Sequence, residues 1–505
     1  MSKLPANRTL DGTGNNQQNP LWGAVGSRLL RRSTVSYDDG TSAPSGPTRA
    51  NARDVSNRLC KQTVSIPSKL RLTDFAWLWG QFVSHSLQSS GQADPVEDFS
   101  ILVPSGDPVF PPGSHIPVAR TEFDLSTGTD PGNPRQQLND ISSYLDASPI
   151  YGLDVNRAAA VRTFDSGKLR TSTGPDGDLL PLNACGLLND QIGPDSHFFL
   201  AGDFRVNAGF GLMALQTLFL REHNRLAAEL AAATPTATDE QIYQRARKLV
   251  GALTQVCTYE EFLPALLGPH GLGKYHGYDP NVDAMVSNEF AAAGFRFGHS
   301  FLSPELLIVF GDGSVETIHH RDALLNIGVI HRNGIGPVLR GFASQIQQEA
   351  DIRVIDDIRN IHPPGGPPLD LVAIDIQRAR DQGIPDYNQL RRCFGLHPVA
   401  SFADITSDRT LQHALESVYR DVASIDPLIG GLAEDHTPGG ALGPLFSAMV
   451  KEQFTRLRAG DRFWYENDPS LSSALRDELR ETRLADVIQR NTDVSDVSDD
   501  VFHLP

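Results

Sequence analysis

Three short segments carry histidine and arginine side chains at spacings that allow proton transfer or metal binding. Gln81 and His85 are four residues apart in LTDFAWLWGQFVSHSL, so a helix would place both on one face. Arg205 ends LAGDFR, and His299 follows Arg296 by three residues in FRFGHSF. A neutral imidazole in an apolar setting can bind a metal or act as a general base, and an arginine supplies a fixed positive charge.

A fourth segment, LDLVAIDIQRARDQGIPDYN, carries a carboxylate in an apolar run. Asp375 is the only charged residue of LVAIDI and needs a cationic or N–H partner if it is buried. Arg378 and Arg380 follow it. Taken singly, each such residue also has a structural interpretation, such as a core histidine bonded to a backbone carbonyl. We interpret the charged cluster REHNR (221–225) as a buried structural network.

The elements that must position these residues are predicted to be helical. The helix containing His85 is apolar on nearly all faces, and Thr73 can cap its start. Thr238 and Gln241 fit a capping box that opens a helix running toward Leu267. Further helices are predicted over 209–233 and 282–301, after Leu369, and around 411–422 and 445–457. The strand signals form one hairpin, 306–310 with 315–318.

The chain has 505 residues, 40% hydrophobic and 21% charged, as expected for a globular protein. The pattern predicts a mainly α fold: a single large helical domain with little β structure. Residues 1–65 are predicted to be an irregular arm packed on the body, and residues 90–140 to be surface loops. Residues 66–490 would form the helical domain, and 491–505 an acidic, solvated tail.

The net charge of the chain limits the kinds of partner that it can bind. With 61 acidic and 44 basic residues the formal net charge is −17, which disfavours nucleic acid and anionic membranes as partners. No run of eighteen apolar residues indicates a transmembrane helix, and MSKLPANRTLDG lacks the apolar core of a signal peptide. We expect a soluble protein, and the sequence leaves its compartment and oligomeric state open.

The four cysteines lie far apart in the sequence. Cys60, Cys185, Cys257 and Cys393 form no CxxC pair and no zinc-binding spacing. We expect them to be buried thiols, and the sequence gives no support for a disulfide.

Seven segments, in one order from about Arg8 to Phe502, resemble the animal haem peroxidases. They are WGQFVSHSL, SSYLDASPIYG, LAGDFR, LFLREHNRLA, FRFGHSF, LDLVAIDIQRARDQGIPDYN and GDRFWYEN. The resemblance implies one mainly helical domain holding haem b between a distal and a proximal helix. It also implies reduction of hydrogen peroxide and oxidation of small phenolic, aromatic or halide donors through an oxoferryl haem.

The resemblance also implies roles for individual residues. On the distal side, His85 resembles the family's catalytic histidine, with Gln81 beside it in the peroxide and halide pocket, and Arg205 resembles the distal arginine. On the proximal side, His299 resembles the iron ligand. Three further residues are implied around it: Arg296 and Arg378 as partners of the haem propionates, and Asp375 as acceptor of the His299 ring N–H.

Several positions depart from the family pattern. Ser84 and Ala208 replace the two carboxylates that form ester links to haem, so we expect a non-covalent haem. Gly209 replaces the methionine that some members link to haem, which weakens the expectation of halide oxidation. Asp375 replaces the usual asparagine, and a carboxylate there should push the His299 ring toward imidazolate and favour higher iron oxidation states.

A calcium loop is also suggested by the resemblance. Ser142, Tyr144, Asp146 and Ser148 match the loop residues, but Ser86 replaces the remaining aspartate ligand. Calcium prefers several hard oxygen ligands including carboxylates, so the sequence leaves calcium binding open.

Three alternative functions compete with this one. Fatty-acid dioxygenases of the same superfamily need a radical-forming tyrosine three residues before the proximal histidine, where this chain has Arg296. The segment GPHGLGKY (268–275) approaches a phosphate-binding loop but ends in Tyr275 instead of Ser or Thr, and a predicted helix precedes it. A haem-binding protein without peroxidase activity is disfavoured by the presence of both His85 and Arg205.

Overall fold

The computed structural model describes residues 7–190, 192–362 and 366–505, so residues 1–6 of the predicted arm lie outside the described residues. Within these ranges the chain is mainly helical with little β structure, which confirms the predicted fold class. In the described parts, no helix is long and apolar enough to cross a membrane.

Helices of several kinds make up most of the regular structure. The α-helices are α1 (Ala52–Val55), α2 (Asp74–Leu87), α3 (Ser148–Tyr151), α4 (Val155–Ala160), α5 (Phe210–Ala233), α6 (Asp239–Val256), α7 (Leu263–Leu267), α8 (Ile327–Asn333), α9 (Gly336–Ser344), α10 (Asp356–Arg359), α11 (Leu371–Asp381), α12 (Tyr387–Cys393), α13 (Arg409–Tyr419), α14 (Pro427–Ala433), α15 (Pro444–Ala459), α16 (Ser473–Glu481) and α17 (Leu484–Asn491). Short π-helical turns are Ser56–Cys60, Cys257–Phe262 and Phe290–Gly294, and short 3-10 turns are Val206–Ala208, Phe297–Ser300, His320–Asp322, Phe402–Asp404 and Val422–Ser424.

The strands form small antiparallel pairs. They are β1 (Ser27–Arg28) with β4 (Leu138–Asn139), β2 (Ile101–Leu102) with β3 (His115–Ile116), β5 (Ser172–Gly174) with β6 (Gly177–Leu179), and β7 (Glu305–Val309) with β8 (Val315–His319). The last pair is the predicted hairpin. The others lie in segments that the sequence analysis did not interpret as strands.

Helix α2 is buried on most of its surface, as its composition predicts. The Thr73 side chain accepts a hydrogen bond from the backbone N–H of Phe75, which satisfies one of the free donors at the helix start. Most of its side chains are buried, and the half-buried residues cluster on one face: Gly80, Gln81, Ser84 and His85. The fold therefore turns a polar stripe of an otherwise apolar helix toward a cavity.

Helix α6 begins as predicted. Both hydrogen bonds of the capping box between Thr238 and Gln241 are present, and the helix continues through a π-helical turn into α7, which ends at Leu267. Helices α5, α11, α13 and α15 also occupy predicted positions. The segment 268–275 follows a helix, so it lacks the strand that a phosphate-binding loop requires.

The predicted helix over 282–301 is wrong. The backbone N–H of Leu30 donates to the Val286 carbonyl at 3.0 Å, and the Asn288 N–H donates to the Leu30 carbonyl at 2.7 Å. Because Val286 and Asn288 pair with the N-terminal arm, these backbone groups are not available for a helix that begins at Val282. Only two short turns form, Phe290–Gly294 and Phe297–Ser300, and His299 lies in the second.

The N-terminal arm contributes to the same hydrophobic core as the body. Leu29, Val55 and Leu59 are buried in the main cluster, together with side chains of α2 and α5. Helix α1 and the π-helical turn after it are regular structure that the sequence analysis did not predict. We propose that the arm and the helical body form one domain, because they share this core.

The C-terminal tail departs from the expectation of a solvated segment. Val501 and Phe502 are buried, and the Thr73 N–H donates to the Phe502 carbonyl at 2.9 Å. Asp499 and Asp500 remain exposed. The tail alternates acidic and apolar residues, and burial of the apolar ones holds it against the body.

The cysteine prediction holds for two of four residues. Cys60 and Cys257 are buried, whereas Cys185 is exposed and Cys393 is half-buried. All four are free thiols in the structure. Burial raises the pKa of Cys60 to about 12, so this thiol is unreactive at neutral pH.

Replacing Phe502 by alanine should destabilise the protein by about 3–5 kcal/mol, the usual cost of deleting a buried phenylalanine side chain. Its ring packs against Phe75, Trp79 and Phe262. The control, Leu125→Ala, removes a side chain of a residue that is 75% exposed and should change stability by less than about 0.5 kcal/mol. Urea unfolding measures both, and equal midpoints for the two variants would show that the tail is not part of the core.

Candidate active site

A cavity of about 600 Å³ brings the predicted residues together. Its lining comes from several parts of the chain, including α2, the segment before α5, the turn Phe297–Ser300 with its approach, and α11. The predicted residues on its wall are Gln81, His85, Arg205, Arg296, His299 and Arg378. Asp375 lies directly behind His299. The fold therefore places residues that are up to about 300 positions apart in the sequence around one space.

His85 is hydrogen-bonded to a buried carboxylate. Its Nδ1 lies 2.7 Å from Oδ2 of Asp203, which is 4% exposed. Burial and the nearby Arg205 charge lower the pKa of His85, outweighing the opposite effect of Asp203. His85 is therefore neutral at pH 7, and its Nδ1–H donates to Asp203. No described residue bonds its Nε2, whose lone pair is available in the cavity.

Asp203 remains ionised although it is buried. Burial acts to raise its pKa, but attraction to the protonated form of His85, the charge of Arg205 and the hydrogen bonds from both residues hold that pKa well below its usual range. Gln216 Nε2 donates to Oδ2 at 3.0 Å, and the Arg205 backbone N–H donates to Oδ1 at 3.0 Å. These bonds fix the carboxylate that orients the histidine.

Asp203 is not among the residues predicted from the sequence. In LAGDFR only Arg205 is predicted to have a role, although a buried acid beside apolar residues needs a partner just as Asp375 does. Close packing fixes the position of this segment. A Cβ on Gly202 would lie 2.2 Å from the Gly152 nitrogen and 2.3 Å from the Ser148 carbonyl oxygen, so only glycine fits there.

Arg205 is held at the end of α2. Its Nη1 donates to the Gln88 carbonyl at 3.2 Å, and its Nη2 donates to the His85 carbonyl at 3.1 Å. Its Nε lies 3.3 Å from Asp203 Oδ1. Carbonyls at a helix C-terminus favour a cation, so the guanidinium is fixed beside His85 on the cavity wall.

His299 has the same kind of partner. Its Nδ1 lies 2.7 Å from Oδ2 of Asp375, which is 3% exposed. Burial acts to raise the pKa of Asp375, but attraction to the protonated form of His299, the His299 hydrogen bond and the Arg296 charge hold that pKa below its usual value. The ionised carboxylate accepts the Nδ1–H. Nε2 has no hydrogen-bond partner in the described ranges and is free to bind a metal.

The cavity wall near His299 carries surplus positive charge. The pKa of Arg296 is lowered to about 10 by burial and by the charges of Arg378 and Arg205, against the attraction of Asp375. Arg378 is half-buried, and its side chain makes no hydrogen bond or ion pair with a described residue. Guanidinium groups in this arrangement fit a ligand that carries carboxylates.

Other lining residues determine which covalent bonds the cavity wall can offer to a bound cofactor. Ser84, Ala208 and Gly209 line the cavity and offer no carboxylate or thioether. Asp140 also lines it, and burial with the neighbouring Glu122 raises the pKa of Asp140 to about 7. The sequence analysis did not single out this pair.

The residues predicted for calcium bond to one another. The Ser142 hydroxyl donates to Asp146 Oδ2 at 3.1 Å, and the Ser148 backbone N–H donates to Asp146 Oδ1 at 2.9 Å. The Tyr144 hydroxyl donates to a carbonyl of the arm, and the Ser86 hydroxyl donates to a carbonyl of its own helix. Across the described residues, no three His, Cys, Asp or Glu side chains cluster as metal ligands.

A family model, a relative and a solved structure agree on the family that this chain resembles. The family model described as animal haem peroxidase matches residues 7–502. Peroxinectin A of Dictyostelium discoideum is 36% identical, over 96% of this chain and 93% of that protein. The solved structure of peroxidase A from Dictyostelium discoideum matches with a TM-score of 0.92 and 35% identity, covering 99% of both chains. A fatty acid alpha-dioxygenase of Arabidopsis thaliana matches over 99% of this chain and 84% of that chain, with a TM-score of 0.83 but 23% identity, a likeness of fold alone.

Replacing Asp203 by asparagine should move the His85 ring proton from Nδ1 to Nε2. The Arg205 N–H keeps an oxygen at the Oδ1 position, so the new amide NH₂ faces His85 and donates to Nδ1. Nitrogen NMR of histidine-labelled protein distinguishes the two tautomers.

The control is Asp195→Asn, which changes the partner of His197, a histidine whose side chain is 89% exposed. This control should leave the His85 signals unchanged. Unchanged His85 nitrogen shifts in Asp203→Asn would contradict the assigned role of Asp203.

Proposed function

The chain belongs to the animal haem peroxidase family and is a haem peroxidase, and we propose that His85 and Arg205 activate hydrogen peroxide while His299 binds the haem iron. One observation supports this assignment above others. Three histidines line the cavity, and two of them, His85 and His299, are each hydrogen-bonded through Nδ1 to a buried, ionised aspartate. That arrangement leaves both Nε2 atoms free, one for a proton and one for a metal. The third, His320, has its Nδ1 3.1 Å from the Ser303 carbonyl oxygen.

The cavity fits a haem. Phe295, Phe297 and Leu302 would supply apolar wall for the macrocycle, and Arg296 and Arg378 would supply charge for two propionates. Bound haem iron would supply the reduction of peroxide and the uptake of electrons from a donor. Because Ser84 and Ala208 cannot form esters, a bound haem would be held by ligation, charge and packing.

The distal residues divide the work of breaking the peroxide bond. His85 Nε2 accepts a proton from one peroxide oxygen and returns it to the departing oxygen. The fixed charge of Arg205 stabilises negative charge as it develops on that oxygen. Gln81 lies one helical turn from His85 on the cavity face and offers an amide that can hydrogen-bond peroxide.

On the proximal side, Asp375 tunes the iron ligand. A carboxylate that accepts the Nδ1–H of His299 increases electron density on Nε2, which strengthens its bond to oxidised iron. An asparagine at this position would increase the electron density on Nε2 less than a carboxylate does. The pairing therefore suits chemistry in which the iron is oxidised above its resting state.

We propose small phenolic or aromatic molecules as electron donors. Gly209 offers no methionine for the haem link that some family members have, so halide oxidation is the weaker alternative. A fatty-acid dioxygenase activity is disfavoured because Arg296 occupies the position of the required tyrosine. The Arg296 Nε donates to the Ala291 carbonyl at 2.9 Å.

We propose that this chain does not require calcium. Asp146 is the single carboxylate of the loop, and two hydrogen bonds already stabilise it. The positive charge of Arg8 also acts on Asp146. A hard cation needs more carboxylate charge than this site offers.

Replacing His85 by alanine should slow the reaction with peroxide by roughly 10²–10⁴-fold, because the general base is lost. Arg205→Ala should slow it by about 10²–10³-fold. Haem content should stay unchanged in both, since neither residue binds the iron. Stopped-flow absorbance of the holoprotein at limiting peroxide gives the rates. The matched control, exposed His197→Ala, should react like wild type, and a wild-type rate for His85→Ala would contradict the assignment.

The pigment should be extractable with acidified organic solvent after unfolding, because neither Ser84 nor Ala208 can hold it covalently. Chromatography with detection at the haem absorbance separates free haem from polypeptide. Haem that co-elutes with the denatured chain would show a covalent link at some other residue.

A calcium chelator should leave the melting temperature and haem content unchanged. The variant Ser86→Asp, which adds the missing carboxylate, should acquire a melting temperature that rises with calcium. A chelator-induced loss of stability in the wild-type protein, restored by calcium, would contradict the proposal.

A further inference from the structure

A row of aromatic rings leads away from the cavity wall. Phe295 lines the cavity, and its ring centroid lies 5.9 Å from that of Phe454. Phe454 lies 5.8 Å from Tyr259, and Tyr259 lies 4.6 Å from Trp464 in an edge-to-face contact. All four residues are buried. Electron tunnelling falls steeply with the gap between groups, so contacting rings form a favourable route out of the cavity.

The row continues to the surface of the molecule. The Tyr275 ring lies 5.9 Å from Trp464, and Tyr275 is half-buried. Its neighbours Gly273, Lys274 and His276 are exposed. A molecule too large to enter the cavity can therefore approach the outer end of the row.

Charges along the row favour electron loss at Trp464. Its indole N–H donates to a carboxylate oxygen of Glu466 at 3.3 Å, so a proton acceptor is in place when the indole is oxidised. The Arg458 guanidinium lies 5.6 Å from the Tyr259 ring centroid and 5.9 Å from that of Tyr275. A nearby cation opposes electron loss from those two rings.

We propose that Trp464 is a second oxidation site, which passes electrons from large phenolic donors near Tyr275 to the haem pocket. The proposal rests on the peroxidase function proposed above. One electron leaves the indole for haem that peroxide has oxidised, and the Nε1 proton moves to Glu466, leaving a neutral indolyl radical. A surface phenol then gives one electron through Tyr275 and its proton to water, while Glu466 returns its proton to Nε1.

The test compares one phenol in two forms, free and attached to a large inert polymer, with peroxide and the holoenzyme. Trp464→Phe should lose most of its activity toward the polymer-bound phenol and keep its activity toward the free phenol. Glu466→Gln, which preserves size, should show the same selective loss, and it keeps the test valid if Trp464→Phe does not fold. The control is Tyr243→Phe, which alters a buried tyrosine in a separate aromatic cluster with Tyr151.

A second readout does not depend on turnover. Without donor, freeze-quench electron paramagnetic resonance after peroxide should show a tryptophan radical in wild type and in Tyr243→Phe. Trp464→Phe, and haem-free protein given peroxide, should lack that radical. A radical that persists in Trp464→Phe, or unchanged activity of that variant toward the polymer-bound phenol, overturns the relay. A wild-type enzyme that oxidises neither form of the phenol overturns the proposed function as well.

Discussion

The hydrogen bond between a buried aspartate and a histidine Nδ1 is the interaction on which this site depends. It occurs twice, at 2.7 Å, between Asp203 and His85 and between Asp375 and His299. In each pair the carboxylate fixes the ring, selects the tautomer and leaves Nε2 free. We propose that the same bond prepares His85 to accept a proton and His299 to bind a metal.

Much of the fold serves to bury these carboxylates without neutralising them. Asp203 is stabilised by Arg205 and Gln216, and Asp375 by Arg296. The two aspartate–histidine pairs differ in the arginine that lies beside each of them. Arg205 is fixed to carbonyls at the end of α2 and lowers the pKa of His85, whereas Arg296 shares its surroundings with Arg378 and is itself less stably charged. Arg296 and Arg378 repel each other, and a ligand with two negative charges would relieve that repulsion.

The sequence predicts the parts of the fold that local chemistry determines. The cap at Thr73, the capping box at Thr238 and the apolar character of α2 all depend on residues within a few positions of one another, and the structure contains each of them. The residues on the cavity wall could also be named, because the resemblance to a family supplied their roles.

What the sequence could not predict depends on contacts between distant segments. The stretch around Val286 has a helical composition, but pairing with the arm at Leu30 prevents the helix. Phe502 lies in an acidic tail, yet its ring fills a gap beside α2. The role of Asp203 becomes visible only when its distance to His85 is known. A local sequence can indicate that a residue needs a partner, as for Asp203, but it does not name the distant segment that supplies that partner.

The division of roles between the two histidines is tested most directly by imidazole rescue of the haem absorption spectrum. The holoproteins of His299→Gly and His85→Gly are compared with wild type before and after imidazole is added. The account predicts that His299→Gly loses the wild-type spectrum and regains it with imidazole, while His85→Gly binds haem with a spectrum like that of wild type. A wild-type spectrum in His299→Gly without imidazole would contradict the account, because the iron would then have another ligand.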